Sequence, residues 1–228
     1  MIISHRHRFI FVKTKKTAGT SIEIALSRYC GQNDIITVVA PEDEALRAEL
    51  GYPGPQNDEL PLRFYRPWDL KQIVRRRERM RYRNHAHASW LRRRIPREVW
   101  DGYFKFCVER NPWDRIISSY YWRNRHLPEL PPFDDWLKTV SHGQLSNYGI
   151  YSIGGRVAVD RVLRYENLGA ELDRVAEELK LPGKLELPRA KGGYRADRRP
   201  YREVLEPRHR DLIASACARE IELMGYEF

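Results

Sequence analysis

Cysteine is scarce in this chain and badly spaced for chemistry. Cys30, Cys107 and Cys217 are odd in number and far apart. That argues against a disulfide framework and against a zinc-ligand spacing, and leaves three reduced thiols expected to be buried. No His/Cys/Asp/Glu cluster calls for a metal. No apolar run approaches the ~18 residues of a membrane span. The start, MIISHRHRFIFV, is too charged for a secretory signal. A soluble chain with a cytoplasmic location is the expectation, with a trimmed N-terminal anchor left open. Internal repeats and low-complexity blocks are also missing.

Positive charge is abundant. The 228 residues hold 41 Lys and Arg against 31 Asp and Glu, a formal +10. Such an excess points to an anionic partner: nucleotide, nucleic acid, acidic polysaccharide or anionic membrane surface. The length fits one domain over 1–228. Within it, prolines at 41, 53, 55, 61 and 67 and a run of arginines mark a basic excursion at about 41–83.

Strand and helix patterns alternate along the rest. RFIFVKT (8–14) reads as a buried strand and 20–29 as a helix, with Thr20 and Glu23 matching a capping box. DIITVVA (34–40) reads as a second strand. The stretch 41–68 reads as a short helix and an irregular excursion, 69–83 as a very basic helix, and the run through WLRRR after 84–88 as another helix. A strand over 103–112 precedes the helix WDRIISSYYWRN. Helices follow at 133–141, after the strand RVLRYENL (161–168), and at 207–224, with a mobile Gly-, Arg- and Lys-rich loop at 188–202. The expected fold is α/β: a P-loop-like parallel sheet flanked by helices on both faces.

The first strand runs into KKTAGTS, residues 15–21, just where the helix begins. A helix start offers free N–H groups and partial positive charge to an anion. Ala18 and Gly19 let an anion approach the backbone, Lys16 can neutralise it, and Thr20 and Ser21 can donate hydroxyls. The stretch is not a Walker A motif: position 14 is Thr, and Thr20 rather than Lys follows Gly19. A basic surface turn ahead of a well-capped helix would account for the same residues. A second anion site is suggested by RNPWDRIISSYY. Arg110 lies at a strand's C-terminal end, and Ser118 stands about two helical turns further on, with Arg115 nearby. An amphipathic helix with a surface arginine is the plainer alternative.

KKTAGTS and RNPWDRIISSYY together strongly resemble the sulfotransferases that use 3′-phosphoadenosine 5′-phosphosulfate (PAPS), most closely the carbohydrate sulfotransferases with PKTAGTS and R-[ND]-P-x-x-R-x-x-S-x-Y motifs. RYENL and the ending LMGYEF agree with that resemblance. It implies that Lys15, Lys16, Thr17, Ala18, Gly19, Thr20 and Ser21 cradle the 5′-phosphosulfate, and that Arg110 and Ser118 grip the 3′-phosphate. Tyr165 would lie near the adenine. Arg195, in the loop 188–202, joins this donor-binding set. Lys15 departs from the family's usual Pro. The resemblance further implies 3′,5′-bisphosphoadenosine as product, no metal, and a hydroxylated glycan, acidic or neutral, or a glycolipid as acceptor.

Sulfuryl transfer needs a charge near the leaving oxygen, a role for Lys16, and a general base on the acceptor side. HAH at 85–87 supplies base candidates. In extended backbone His85 and His87 would share a face, and His85 is preferred because N-H-x-x-A recurs in related bacterial sequences. Two polar residues in a basic linker remain the plainer reading. Glu109 and Glu23 are weaker alternatives.

Between Arg63 and Arg97 stand 12 arginines and one lysine. They read either as a solvated face or as an electropositive wall of the acceptor cleft. Two rivals stay open. One is a nucleic-acid-binding module using this section with Trp68, Tyr82 and Trp90, although no nucleic acid is expected as partner. The other is a P-loop nucleotide kinase.

Overall fold

The computed structural model describes residues 1–69, 75, 77–188, 197 and 199–228. A five-stranded sheet runs through its centre in the order β3-β1-β2-β4-β7. The strands are β1 (Ile2–Ser4), β2 (Phe9–Phe11), β3 (Ile35–Ile36), β4 (Phe104–Glu109) and β7 (Arg161–Arg164). A separate hairpin pairs β5 (Ser152–Ile153) with β6 (Arg156–Val157). β2, β4 and β7 pair in parallel. β1 pairs antiparallel with both of its neighbours, so it alone runs against the other four. The expected parallel sheet is therefore mostly parallel, with one reversed strand of three residues that the sequence reading did not resolve.

Alternation along the strands explains why both faces are covered. Phe9, Phe11, Phe106, Val108 and Leu163 pack on one side with Ile22 and Leu26, and with Leu172 and Val175. These partners come from the helices Gly19–Ser27 and Leu168–Glu178. Ile10, Val12 and Cys107 point the other way and pack with Leu91, Trp100 and Tyr151. Side chains of period two on the central strands are thereby buried on both faces. A third apolar cluster joins the helix Pro112–Asn124 to Phe133–Lys138 and Pro207–Ala216. All three cysteines are buried and free, as expected.

Several boundaries moved. The strand expected at 34–40 shrinks to Ile35–Ile36. The basic helix expected over 69–83 falls partly outside the described residues. From 77 onward the chain is not helical: Tyr82 N–H donates to Asp58 O (2.7 Å) and Leu60 N–H to Met80 O (2.7 Å). The closing helix is two, Pro207–Ala216 and Ala218–Met224, broken at Cys217. Among the described residues no helix is long and apolar enough to cross a membrane.

Three parallel strands ending at one edge position the site. The loop 12–18 leaves β2, Arg110 follows β4 and Tyr165 follows β7. That C-terminal edge is where open α/β sheets bind ligands.

Candidate functional site

At that edge lies a cleft of about 400 Å³ lined by Lys13, Thr14, Lys16–Ser21, His85, Arg110, Ser118, Trp122 and Tyr165. Nearly every residue singled out from the two motifs thus meets in one place. Lys15 and His87 do not line it, and Arg195 lies outside the described residues. Lys13, Thr14 and Trp122 are additions.

The loop's backbone makes it an anion cradle. Lys16 (φ 61°) and Ala18 (φ 57°) are both left-handed, each at a cost of about 1–3 kcal/mol that only a constraining environment sustains. Left-handed residues at alternate positions produce the curl from which anion-binding nests are made. Ala18 is the N-cap, with no side-chain cap on the helix. The first backbone bond in the helix comes from Ile22 N–H to Ala18 O (3.1 Å), so the amides of Gly19, Thr20 and Ser21 keep their donors for a ligand. Gly19 is required: a Cβ there would stand 2.8 Å from Lys13 Cγ. Thr14 and Thr17 use their hydroxyls inward, on each other (2.8 Å) and on Val108 O.

The expected Thr20–Glu23 capping box is absent, because the helix starts earlier and Glu23 has stronger partners. Its carboxylate is fully buried and stands 2.8 Å from both Lys13 Nζ and the Met1 amine, with Arg47 at 3.9 Å. Burial pushes the carboxyl up, but the amine and Lys13 outweigh it and hold it below its usual range. Glu23 is committed to these cations and does not line the cleft.

Arg110 ties the cleft together. It donates from Nη1 to Lys16 O (3.2 Å), pairs with Asp114 (2.9 and 2.5 Å), and lies 4.3 Å over the Tyr165 ring. Ser118 opens onto the same cleft. Arg115 does not join them. It is buried and turned back, donating to Leu145 O (2.6 Å) and facing Glu109 (3.5 Å) and Glu220 (3.9 Å).

His85 enters from the other wall. Its Nδ1 sits 3.0 Å from Lys13 O. A carbonyl only accepts, so Nδ1 carries the proton and Nε2 is left with a lone pair. Burial, then the Lys13 charge, lowers the ring's pKa to about 4, so the imidazole is neutral at ordinary pH. The shared face expected of His85 and His87 fails for a backbone reason: His85 is left-handed (φ 56°), which breaks the alternation of an extended strand. His87 is exposed and forms the N-cap of Ala88–Leu91.

Glu109 is buried behind the cleft rather than in it. Burial raises its carboxyl to about 7 against the opposing pull of Arg115, with Glu220 adding to the rise. A carboxyl raised on folding contributes stability that is complete below about 4.5 and is lost as pH rises through about 7. Glu109→Gln, which has no proton to lose, is therefore expected to unfold at a higher temperature than the wild type at pH 8. The gap, on the order of 3 kcal/mol at most, should close by about pH 4. A calorimetric melt at both pH values measures it, and an equal or lower melting temperature at pH 8 would show that Arg115 fully compensates the charge.

Part of the arginine-rich section is self-paired. Arg94 is buried against Asp69, Arg81 pairs with Asp58 (2.8 Å) and Arg79 with Glu59 (3.1 Å). Of the described residues between 63 and 97, His85 alone lines the cleft, and none of the section's described arginines does. Tyr82 is buried, with its hydroxyl on Arg94 O (2.9 Å) and Trp90 edge-on to it at 6.1 Å. Only Trp68, 68% exposed, stays open for stacking on a base.

A protein-family model described as "Sulfotransferase family" matches residues 1–149, which include the loop 15–21, His85, Arg110 and Ser118. An uncharacterized protein of Archaeoglobus fulgidus is 31% identical over 104 residues, covering 44% of this chain and 87% of its own. No solved structure matches the chain.

Proposed function

The chain belongs to the sulfotransferase family, and from that premise we propose that it moves the sulfuryl group of PAPS to an acceptor hydroxyl, on a carbohydrate or glycolipid, by in-line displacement. The observation that carries this reading is the convergence, in one cleft, of an uncapped helix start, Lys16, Arg110, Ser118, Tyr165 and a neutral His85. When bound, the donor supplies an activated sulfuryl group. The chain's residues divide the remaining work. The amides of Gly19–Ser21 and Lys16 bind the 5′ end, in the manner of a P-loop without its Walker lysine. Arg110 and Ser118 hold the 3′-phosphate, and Tyr165 flanks the base. His85 Nε2 takes the acceptor's proton, and Lys16 balances charge on the leaving oxygen.

Trp122, at the cleft with Arg125 3.6 Å over its ring, supports a sugar acceptor. The guanidinium and ammonium groups over its ring suit an acidic substituent on such an acceptor. The nucleic-acid reading is weakened by the burial of Tyr82 and by the pairing of Arg79, Arg81 and Arg94 with carboxylates of the same section.

Calorimetry separates the readings. Adenosine 3′,5′-bisphosphate should bind more tightly than ATP or RNA; the reverse order would overturn the proposal. Arg110→Ala should weaken the 3′-phosphorylated nucleotide by ~10–100-fold, the loss of a charge-assisted contact. Adenosine 5′-phosphosulfate, which lacks that phosphate, should bind nearly as before. Equal losses for both would make Arg110 a structural support. A screen of acidic and neutral oligosaccharides, glycolipids and phenols with radiolabelled PAPS then identifies the acceptor.

A further inference from the structure

The donor loop is braced from far along the chain. Asn147, fully buried, lies 132 positions beyond Lys15 and bonds both backbone groups of that residue. Its Oδ1 accepts Lys15 N–H (3.2 Å) and its Nδ2 donates to Lys15 O (3.0 Å). That is the pair of bonds a neighbouring strand would make, and Lys15 directly precedes the left-handed Lys16.

Two carboxylates fix the brace. Nδ2 also faces Glu109 Oε1 at 3.4 Å, and the same oxygen accepts Arg110 N–H (3.1 Å). A backbone N–H only donates and a carbonyl only accepts, so the side-chain amide has one orientation, with Oδ1 toward Lys15 N–H and Nδ2 toward Lys15 O. Glu220 Oε1 holds the segment itself, accepting from Asn147 N–H (2.8 Å), Ser146 Oγ (2.6 Å) and Tyr148 N–H (3.2 Å). One buried node thus connects the loop after β2 to Arg110 after β4.

We propose that Asn147 is a positioning residue for the donor site, holding the loop at Lys15–Lys16 in register with Arg110. It touches no substrate and acts through the Lys15 backbone. The proposal rests on the donor-site reading above, and its test separates the two.

In Asn147→Ala, the KM for PAPS and the Kd for adenosine 3′,5′-bisphosphate should rise ~10–30-fold, as expected for two lost bonds and an orphaned peptide. The kcat at saturating donor should fall less, because bound donor re-imposes the loop. A merely structural role would reduce the active fraction and lower kcat with KM unchanged, and that pattern would overturn the proposal. Asn147→Asp keeps the acceptor but sets a carboxylate against Lys15 O and Glu109, so it should do no better than alanine. Wild-type affinity in that variant would also overturn it.

Hydrogen exchange gives a readout independent of activity. The Lys15 amide should be protected in the wild type and exchange at least ~10-fold faster in the variants, with β4 amides unchanged. An unprotected Lys15 amide in the wild type overturns the brace even where neither variant folds. Failure of the wild type to bind the bisphosphate, with Lys15 still protected through Asn147, sinks the donor reading and not the brace.

Discussion

Lys16→Ala is expected to slow turnover by ~10²–10³ at saturating donor, the usual loss when a preorganised charge at a developing anion is removed. Lys16 sits at the bend between the strand end and the helix start, and its ammonium rests 4.6 Å over the Trp122 ring. An exposed cation–π contact is worth roughly 0.5–1 kcal/mol, less than a charge-assisted bond to a phosphate oxygen, so an anion in the cleft wins the ammonium from the ring. The fold should survive. Lys16 is half-buried, and alanine meets the same Cβ penalty at φ 61° that lysine already meets. Steady-state rates beside a thermal melt decide the matter. Near-wild-type turnover in a folded variant would remove Lys16 from the mechanism, and a large fall in melting temperature would mean that the side chain had been holding the loop.

What was legible in the sequence was what is local. The strand–turn–helix at 9–27 and the strand–helix at 104–124 each carry their signal within a short window: an apolar run, a small-residue turn or a proline, then helical periodicity. Both landed close to their expected places. The two motifs meet because β2 and β4 are parallel neighbours, which strand–helix alternation predicts. The arrangement behind them was not legible. Asn147 belongs to no motif, and Glu109 is offered by its position only as a weaker base candidate, since their partners lie 132 and 38 positions away in the chain. Glu23 was misread for the same reason. Its spacing from Thr20 satisfies a local pattern, yet the burial that gathers Lys13, Arg47 and the Met1 amine around it is a tertiary fact. The arginine-rich section differs in the opposite sense: composition pointed outward to a ligand, while Arg79, Arg81 and Arg94 turn back onto Glu59, Asp58 and Asp69.

His85 is where geometry changes the expected chemistry most. From sequence, a histidine base would lose activity below about its ordinary value of ~6.5. In its place in the fold, burial and Lys13 lower that value to about 4. The neutral, Nδ1-protonated ring is therefore the resting form, ready to accept a proton at Nε2 without first losing one. A pKa lowered in this way keeps the base competent above about 4 and costs activity only as pH falls through that value, although anionic donor in the same cleft favours the imidazolium and moves the limb upward in the loaded enzyme. His85→Ala is expected to cut turnover by ~10²–10⁴, the range for a positioned acid–base group, with bisphosphate affinity near wild type because the ring serves the acceptor side. His87→Ala, exposed and outside the cleft, should stay within a few-fold of wild type. Nitrogen NMR of the free protein checks the protonation state directly: the His85 ring should hold one neutral tautomer from pH 8 to pH 5. A ring that titrates near 6.5, or a His85→Ala enzyme with full turnover, would end its candidacy as the base. An equally deep loss in His87→Ala would instead mean that the segment 84–88 rearranges when the acceptor binds.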